Sequence, residues 1–202
     1  MGDTAPDTIP TTKVTAMSPH AIERIETEVL TWLDQVVIGL NLCPFAARPR
    51  RLGQLRIVVS NAQDDERLID ELVSEVELLL NEASDATETS LLVVPAMLKD
   101  FETYNRFIDV AEMLVRQYGW EGEIQVASFH PDYCFEGTAP EDDENLTNRS
   151  PYPILHLIRE KSIEEALSRF PNPERIPERN IGRVCSLSTL EKRRLFPYLN
   201  WR

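Results

Sequence analysis

Three short stretches of the sequence concentrate residue types that move protons, attack electrophiles or bind metals. The densest is Phe129-His130-Pro131-Asp132-Tyr133, which sets an imidazole, a carboxylate and a phenol within four residues. An imidazole titrates near neutral pH, and a carboxylate beside it can fix its tautomer and raise its basicity. His130 and Asp132 are therefore candidates for acid/base chemistry, with Tyr133 as a substrate contact. The second stretch runs Asn148-Arg149-Ser150-Pro151-Tyr152-Pro153-Ile154-Leu155-His156-Leu157-Ile158-Arg159-Glu160. Read as a helix starting near Ser150, it puts His156 and Glu160 four apart on one face, as joint metal ligation or orientation of one group by the other requires. Asn148, Arg149 and Tyr152 are candidate substrate contacts beside that helix start. Pro151 and Pro153 weaken it as an anion site because they supply no amides, so Arg149 must dominate. The third stretch is Asn41-Leu42-Cys43-Pro44-Phe45-Ala46. A cysteine before proline marks a turn, and its thiolate could serve as nucleophile or soft metal ligand if a cation lowered its pKa.

Each cluster also has a bland reading. His130 can be a loop histidine bonded to backbone, His156 an interior histidine, Arg149 part of a helix cap, and Cys43 a buried inert thiol. The run Glu141-Asp142-Asp143-Glu144 lacks the alternating ligands and turn glycine of a calcium loop and reads as a solvated loop. The seven glycines form neither a phosphate-cradling loop nor a dinucleotide fingerprint, and no Gly-x-Ser-x-Gly elbow occurs.

The elements that must position these residues follow from periodicity. Ser18-Pro19 is an N-cap followed by a first-turn proline, and Ile22, Ile25, Val29, Trp32, Val36 and Leu40 recur at helical spacing up to about Gly39 to Asn41. Leu55 to Ser60, Ser90 to Val94 and Ile124 to Phe129 read as buried strands. Between them lie helices opened by Asp64-Asp65 and by Asp100, the latter stopped at Gly119. Such alternation predicts an α/β fold: a small parallel or mostly parallel sheet of three or more strands with flanking helices and an irregular C-terminal extension. Ligands of such sheets bind beyond the carboxyl ends of the strands, which draws attention to the residues after Phe129. A polar loop from Tyr133 to Ser150, a helix from Pro151 and a short capped helix at Ser162 complete the reading, and prolines 171, 173 and 177 forbid continuous helix beyond Phe170.

The 202 residues, 42% hydrophobic and 27% charged, suit one domain over 18–190, with a disordered arm at 1–17 and a tail at 191–202. No run approaches the length of a membrane helix and the start lacks a secretory pattern, so the expected compartment is the cytoplasm and no membrane partner is expected. Three scattered cysteines suggest reduced thiols. A net charge of −13 argues against nucleic acid as a partner. The charge is uneven: from Asn148 onwards the chain carries +5 and before it −18. A basic tail lying on an acidic body is the simplest account.

The three stretches, together with Phe135, Gly137 and Thr138-Ala139-Pro140, resemble the uncharacterised bacterial domain-of-unknown-function family 1415 from about Ile22 to Leu190. Cys134 departs from the pattern, where glutamine is expected, which makes it a poor candidate for an essential group. The resemblance supplies no activity; it implies that the three clusters belong to one pattern and favours their meeting in space.

The leading expectation is a hydrolase or group transferase for a small molecule, with Cys43, His130 and His156 converging at the carboxyl edge of the sheet. In one version the three ligate a divalent metal such as zinc. In the other Cys43 is nucleophile, a histidine is base and Asp132 orients it. The alternative is a noncatalytic module that recognises an acidic ligand or partner through Arg149, Tyr152 and the basic tail.

Overall fold

Ser18 opens the first helix as its sequence context predicts: its hydroxyl accepts from the Ala21 amide at 3.3 Å and Pro19 takes the first helical position. The computed structural model describes residues 17–201. Apart from Met17, which packs on the core, the arm expected at 1–17 lies outside the described residues.

Helix α1 (Pro19–Trp32) runs on without a break into a π-helical turn, Leu33–Ile38, so the long amphipathic helix persists in widened form. The widening sends the Gly39 amide to Asp34 O at 3.0 Å, five residues back, and brings the Gln35 carbonyl against Gly39. A Cβ at Gly39 would stand 2.3 Å from that oxygen, so this position needs glycine. Asn41 then turns the chain with a φ of 56°. A short helix α2 (Ala47–Leu52) leads into strand β1 (Leu55–Val59).

Helix α3 (Asp65–Asn81), strand β2 (Thr89–Val93), helix α4 (Phe101–Gln117) and strand β3 (Ile124–Phe129) follow in the expected alternation. Asp64 and Asp100 cap α3 and α4 by accepting from the Arg67 and Thr103 amides, and Gly119 ends α4 in the left-handed region. Strands β1, β2 and β3 all point the same way. The sheet nevertheless has the order β1-β2-β4-β3, because strand β4 (Ile154–Arg159) enters between β2 and β3 antiparallel to both. The sheet is thus mixed, with one parallel ladder and two antiparallel ones.

This insertion corrects the reading of a helix from Ser150. Ile154 to Ile158 is buried throughout, as is β2, so the two central strands carry apolar side chains on both faces and show no alternation. A short apolar run of that kind is consistent with either a buried strand or a helix segment. Glu160 is the first residue of helix α5 (Glu160–Leu167), so it and His156 do not share a helix face.

Helices cover both faces of the sheet. On one, Ile25, Val29, Trp32 and Val36 pack on Leu91, Val93 and Ile154. On the other, Leu68, Leu72 and Val76 of α3 and Tyr104, Phe107 and Ala111 of α4 pack on Leu92, Leu155 and Leu157. Beyond Phe170 a 3-10 turn at Pro173–Arg175 precedes helices α6 (Ile176–Cys185) and α7 (Thr189–Leu195). The segment set apart in the sequence from residue 191 includes most of α7, and Leu195 and the fully buried Phe196 join the first core.

Candidate functional site

Cys43 and His156 border one small cavity. It measures about 120 Å³ and is lined by Trp32, Leu33, Val37 and Phe129 among other apolar side chains. Cys43 is placed there by the turn after the π-helical segment, whose backbone is held from α6: Asn180 Nδ2 donates to Leu42 O at 2.6 Å and Arg179 Nη2 to Asn41 O at 3.1 Å. Burial pushes the Cys43 thiol up, against a smaller opposing effect of the Phe45 and Ala46 amides. His156 sits in the middle of β4 opposite Leu91 and Ala127. Its Nε2 lies 2.8 Å from Thr89 Oγ1, and burial pushes its pKa down to about 3. A protonated thiol and a neutral imidazole are therefore the resting states on this side of the sheet.

His130 stands on the other side. Strand alternation sends Phe129 toward Trp32, with ring centroids 5.2 Å apart, and turns the next residue toward α4, where the His130 ring lies 5.0 Å from that of Tyr104 and 5.3 Å from that of Phe101. The ring is fully buried and both nitrogens are engaged. Nε2 is 2.9 Å from Leu98 O, and Nδ1 accepts from the Asp132 amide at 2.9 Å. A carbonyl can only accept and an amide can only donate, so His130 carries its proton on Nε2 and is neutral. Burial lowers its pKa accordingly. The expected meeting of Cys43, His130 and His156 does not occur: the sheet lies between the first cavity and His130. Among the described residues no group of three His, Cys, Asp or Glu side chains is arranged to hold a metal.

The remaining candidates surround the loop between β3 and β4. Asn148 binds it to the strand end, its Nδ2 donating to Ser128 O at 3.2 Å and its carbonyl accepting from the His130 amide at 3.2 Å. Tyr133 packs between Phe101 and Phe135. Tyr152 donates to Glu28, and burial with that carboxylate pushes its phenol up to about 12. Arg149 donates from Nε to Tyr133 O at 3.2 Å and from Nη2 to Pro140 O. Its own carbonyl accepts from Trp32 Nε1 at 3.0 Å and Tyr198 Oη at 3.1 Å. Two of this arginine's N–H donors therefore tie two parts of the loop together.

Asp132 and Arg149 both border a groove of about 800 Å³ beyond the carboxyl end of β3. Its walls add Glu141, Asp142 and Asp143 from the loop and Tyr198 and Trp201 from the C-terminal segment. Asp143 is paired with Lys192, Asp142 accepts from the Ala139 amide at 2.8 Å, and Asp132 and Glu141 are exposed. The acidic run is thus a groove wall, which composition alone does not reveal. The aromatic pair is visible in the sequence as faint interleaving with Lys192-Arg193-Arg194, without any sign of what it lines.

No curated protein and no solved structure matches the chain. A family model does: residues 24–194, a span containing all three clusters, match the one described as "Protein of unknown function (DUF1415)", and the chain belongs to that family.

Proposed function

We propose that this protein binds small cationic molecules in the groove beyond β3. The observation that carries this reading is the convergence of Asp132, Glu141, Asp142, Asp143, Tyr198 and Trp201 on one concave surface. Four carboxylates border it beside one guanidinium, which donates to two backbone carbonyls, and Lys192 offsets only Asp143. The charge left for a ligand is negative, and aromatic rings beside it suit the apolar part of an ammonium or amidinium compound. This reverses the sign of ligand expected from Arg149 alone. Calorimetric titration with spermidine tests it. Saturable binding that weakens with salt and falls about tenfold or more in the Asp132→Asn, Glu141→Gln double variant supports the site. Absence of binding, or equal affinity in the variant, removes it.

A second reading, an enzyme of hydrolase or group-transfer type working through Cys43 and His156, is favoured by the cavity these two share. It requires the thiol to ionise close to neutral pH, which alkylation kinetics measure directly.

A further inference from the structure

Two glutamates, Glu75 and Glu88, are equally buried at 6% exposure and differently served. Glu75 accepts from Arg56 Nε at 2.9 Å, Arg56 Nη2 at 3.1 Å and Ser90 Oγ at 2.8 Å. Glu88 accepts no side-chain hydrogen bond among the described residues. Its nearest cation is Arg48, whose Nη1 is 3.7 Å away on a side chain 59% exposed. Its oxygens are not among the sealed unpartnered atoms, so they stay open to the adjoining cavity and to a donor placed there.

Glu88 borders two adjoining cavities, of about 320 and 280 Å³, that also share Arg48, Ser162 and Glu165. The larger lies where β1, β2 and β3 begin and β4 ends, at the opposite edge of the sheet from the groove. Two of its lining residues hold further unmatched atoms. Gln54 donates from Nε2 to Asp85 O at 3.0 Å, which fixes its amide and leaves Oε1 as a buried acceptor without a partner. Arg159 donates from Nη2 to Glu82 O and Thr87 O, and its Nε–H is buried and unmatched. The walls of one cavity therefore hold an open carboxylate and, just beneath their surface, an amide oxygen and a guanidinium N–H without partners among the described residues, with Lys161 at the exposed rim. Its volume is roughly ten times the share of one water molecule in the liquid.

We infer that this cavity binds a small amino-acid-like zwitterion, with the ligand ammonium at Glu88 and Gln54 and its carboxylate at Arg159 and Lys161. A primary ammonium has three donors for the two acceptors, and a carboxylate answers the unmatched guanidinium. Neither a simple anion nor a simple cation satisfies both ends. The site is independent of the groove proposed above.

Thermal-shift and calorimetric titrations of the full chain carrying Asp132→Asn and Glu141→Gln, so that the groove does not contribute, with the free proteinogenic amino acids, their N-acetyl derivatives and their decarboxylated amines test this. At least one free amino acid binds saturably, its N-acetyl derivative does not, and its decarboxylated amine binds about tenfold more weakly or worse. In that background Glu88→Gln weakens binding by a similar factor and the rim variant Lys161→Glu weakens it severalfold. The assignment is overturned if no amino acid binds, if the amine binds as tightly as the amino acid, or if Glu88→Gln keeps full affinity. Should Glu88→Gln fail to fold, undiminished affinity in Lys161→Glu overturns it instead.

Discussion

Thr89 Oγ1 donates its only proton to the Leu157 carbonyl at 2.7 Å, so the 2.8 Å contact to His156 has the imidazole Nε2 as donor. His156 is thereby fixed as the neutral Nε2–H tautomer, and a second proton would have to enter a buried, largely apolar setting. The same holds for His130, whose Nδ1 already accepts from a backbone amide.

Acid stability follows from this. The folded pKa of His156 is about 3 against an unfolded value of roughly 6.5, so the unfolded chain takes up the proton first. The associated stability is complete above about pH 6.5 and is lost as pH falls toward about 3, by roughly 1.4 kcal/mol per pH unit. His130, lowered in the same direction, adds to the slope. Urea unfolding of His156→Leu between about pH 6 and about pH 4 is expected to show a slope shallower by that amount. An unchanged slope would mean that the imidazole titrates freely in the folded protein.

Cys43 gives a kinetic prediction. Its thiol is raised by burial and borders a small apolar cavity, whereas Cys185, raised by partial burial and the nearby Asp143 and Glu144 carboxylates, is exposed. Under native conditions at neutral pH, iodoacetamide should label Cys185 well before Cys43, as read by peptide mass spectrometry, and the Cys43 rate should climb with pH through the neutral range without levelling. A Cys43 that reacts faster than free cysteine would contradict the burial effect and favour the enzymatic reading.

Tyr104 joins the two strand ends that flank the β3–β4 loop. Its buried hydroxyl donates to Ile154 O at 2.7 Å and accepts from the Phe129 amide at 3.0 Å. Tyr104→Phe leaves both backbone groups without that partner and should cost about 1–3 kcal/mol of unfolding free energy. Hydrogen exchange should locate the loss at the Phe129 amide; unaltered protection there would refute the bridge.

Gly39→Ala should destabilise by about 1–3 kcal/mol, because the new methyl group meets the Gln35 carbonyl and the π-helical turn cannot relax without moving Leu40 and Leu42. Thermal unfolding measures this. A variant as stable as the parent would show that the turn rewinds to ordinary α-helix.

Helices α1, α3 and α4 and strands β1, β2 and β3 were legible in the sequence because each is bounded by a cap, glycine or proline and shows an apolar pattern suited to its type. Strand β4 was not, since a central strand buried on both faces loses the two-residue rhythm, and the prolines before it suit a helix start as well as a strand start. That one misreading carried the candidate site with it. On a helix, His156 pairs with Glu160; on a strand it faces Thr89 and the Cys43 cavity. His130 next to Asp132 suggested a side-chain pair, but it is the Asp132 backbone amide that reaches the ring. Glu88 and Gln54 gave no signal because neither belongs to a motif; what distinguishes them is the hydrogen bonds they lack in three dimensions.

The place of β4 also sets an order of assembly. Among the described residues it is the last strand to be synthesised, yet it fills the middle of the sheet, and β3 has no other ladder partner there. A nascent chain that has emerged only as far as the loop after β3 can join β1 to β2 while the inner margins of β2 and β3 wait unzipped. Such a ribosome-bound intermediate exposes two sticky margins, and interruption of translation before Arg159 would release a fragment prone to aggregation rather than a smaller working protein.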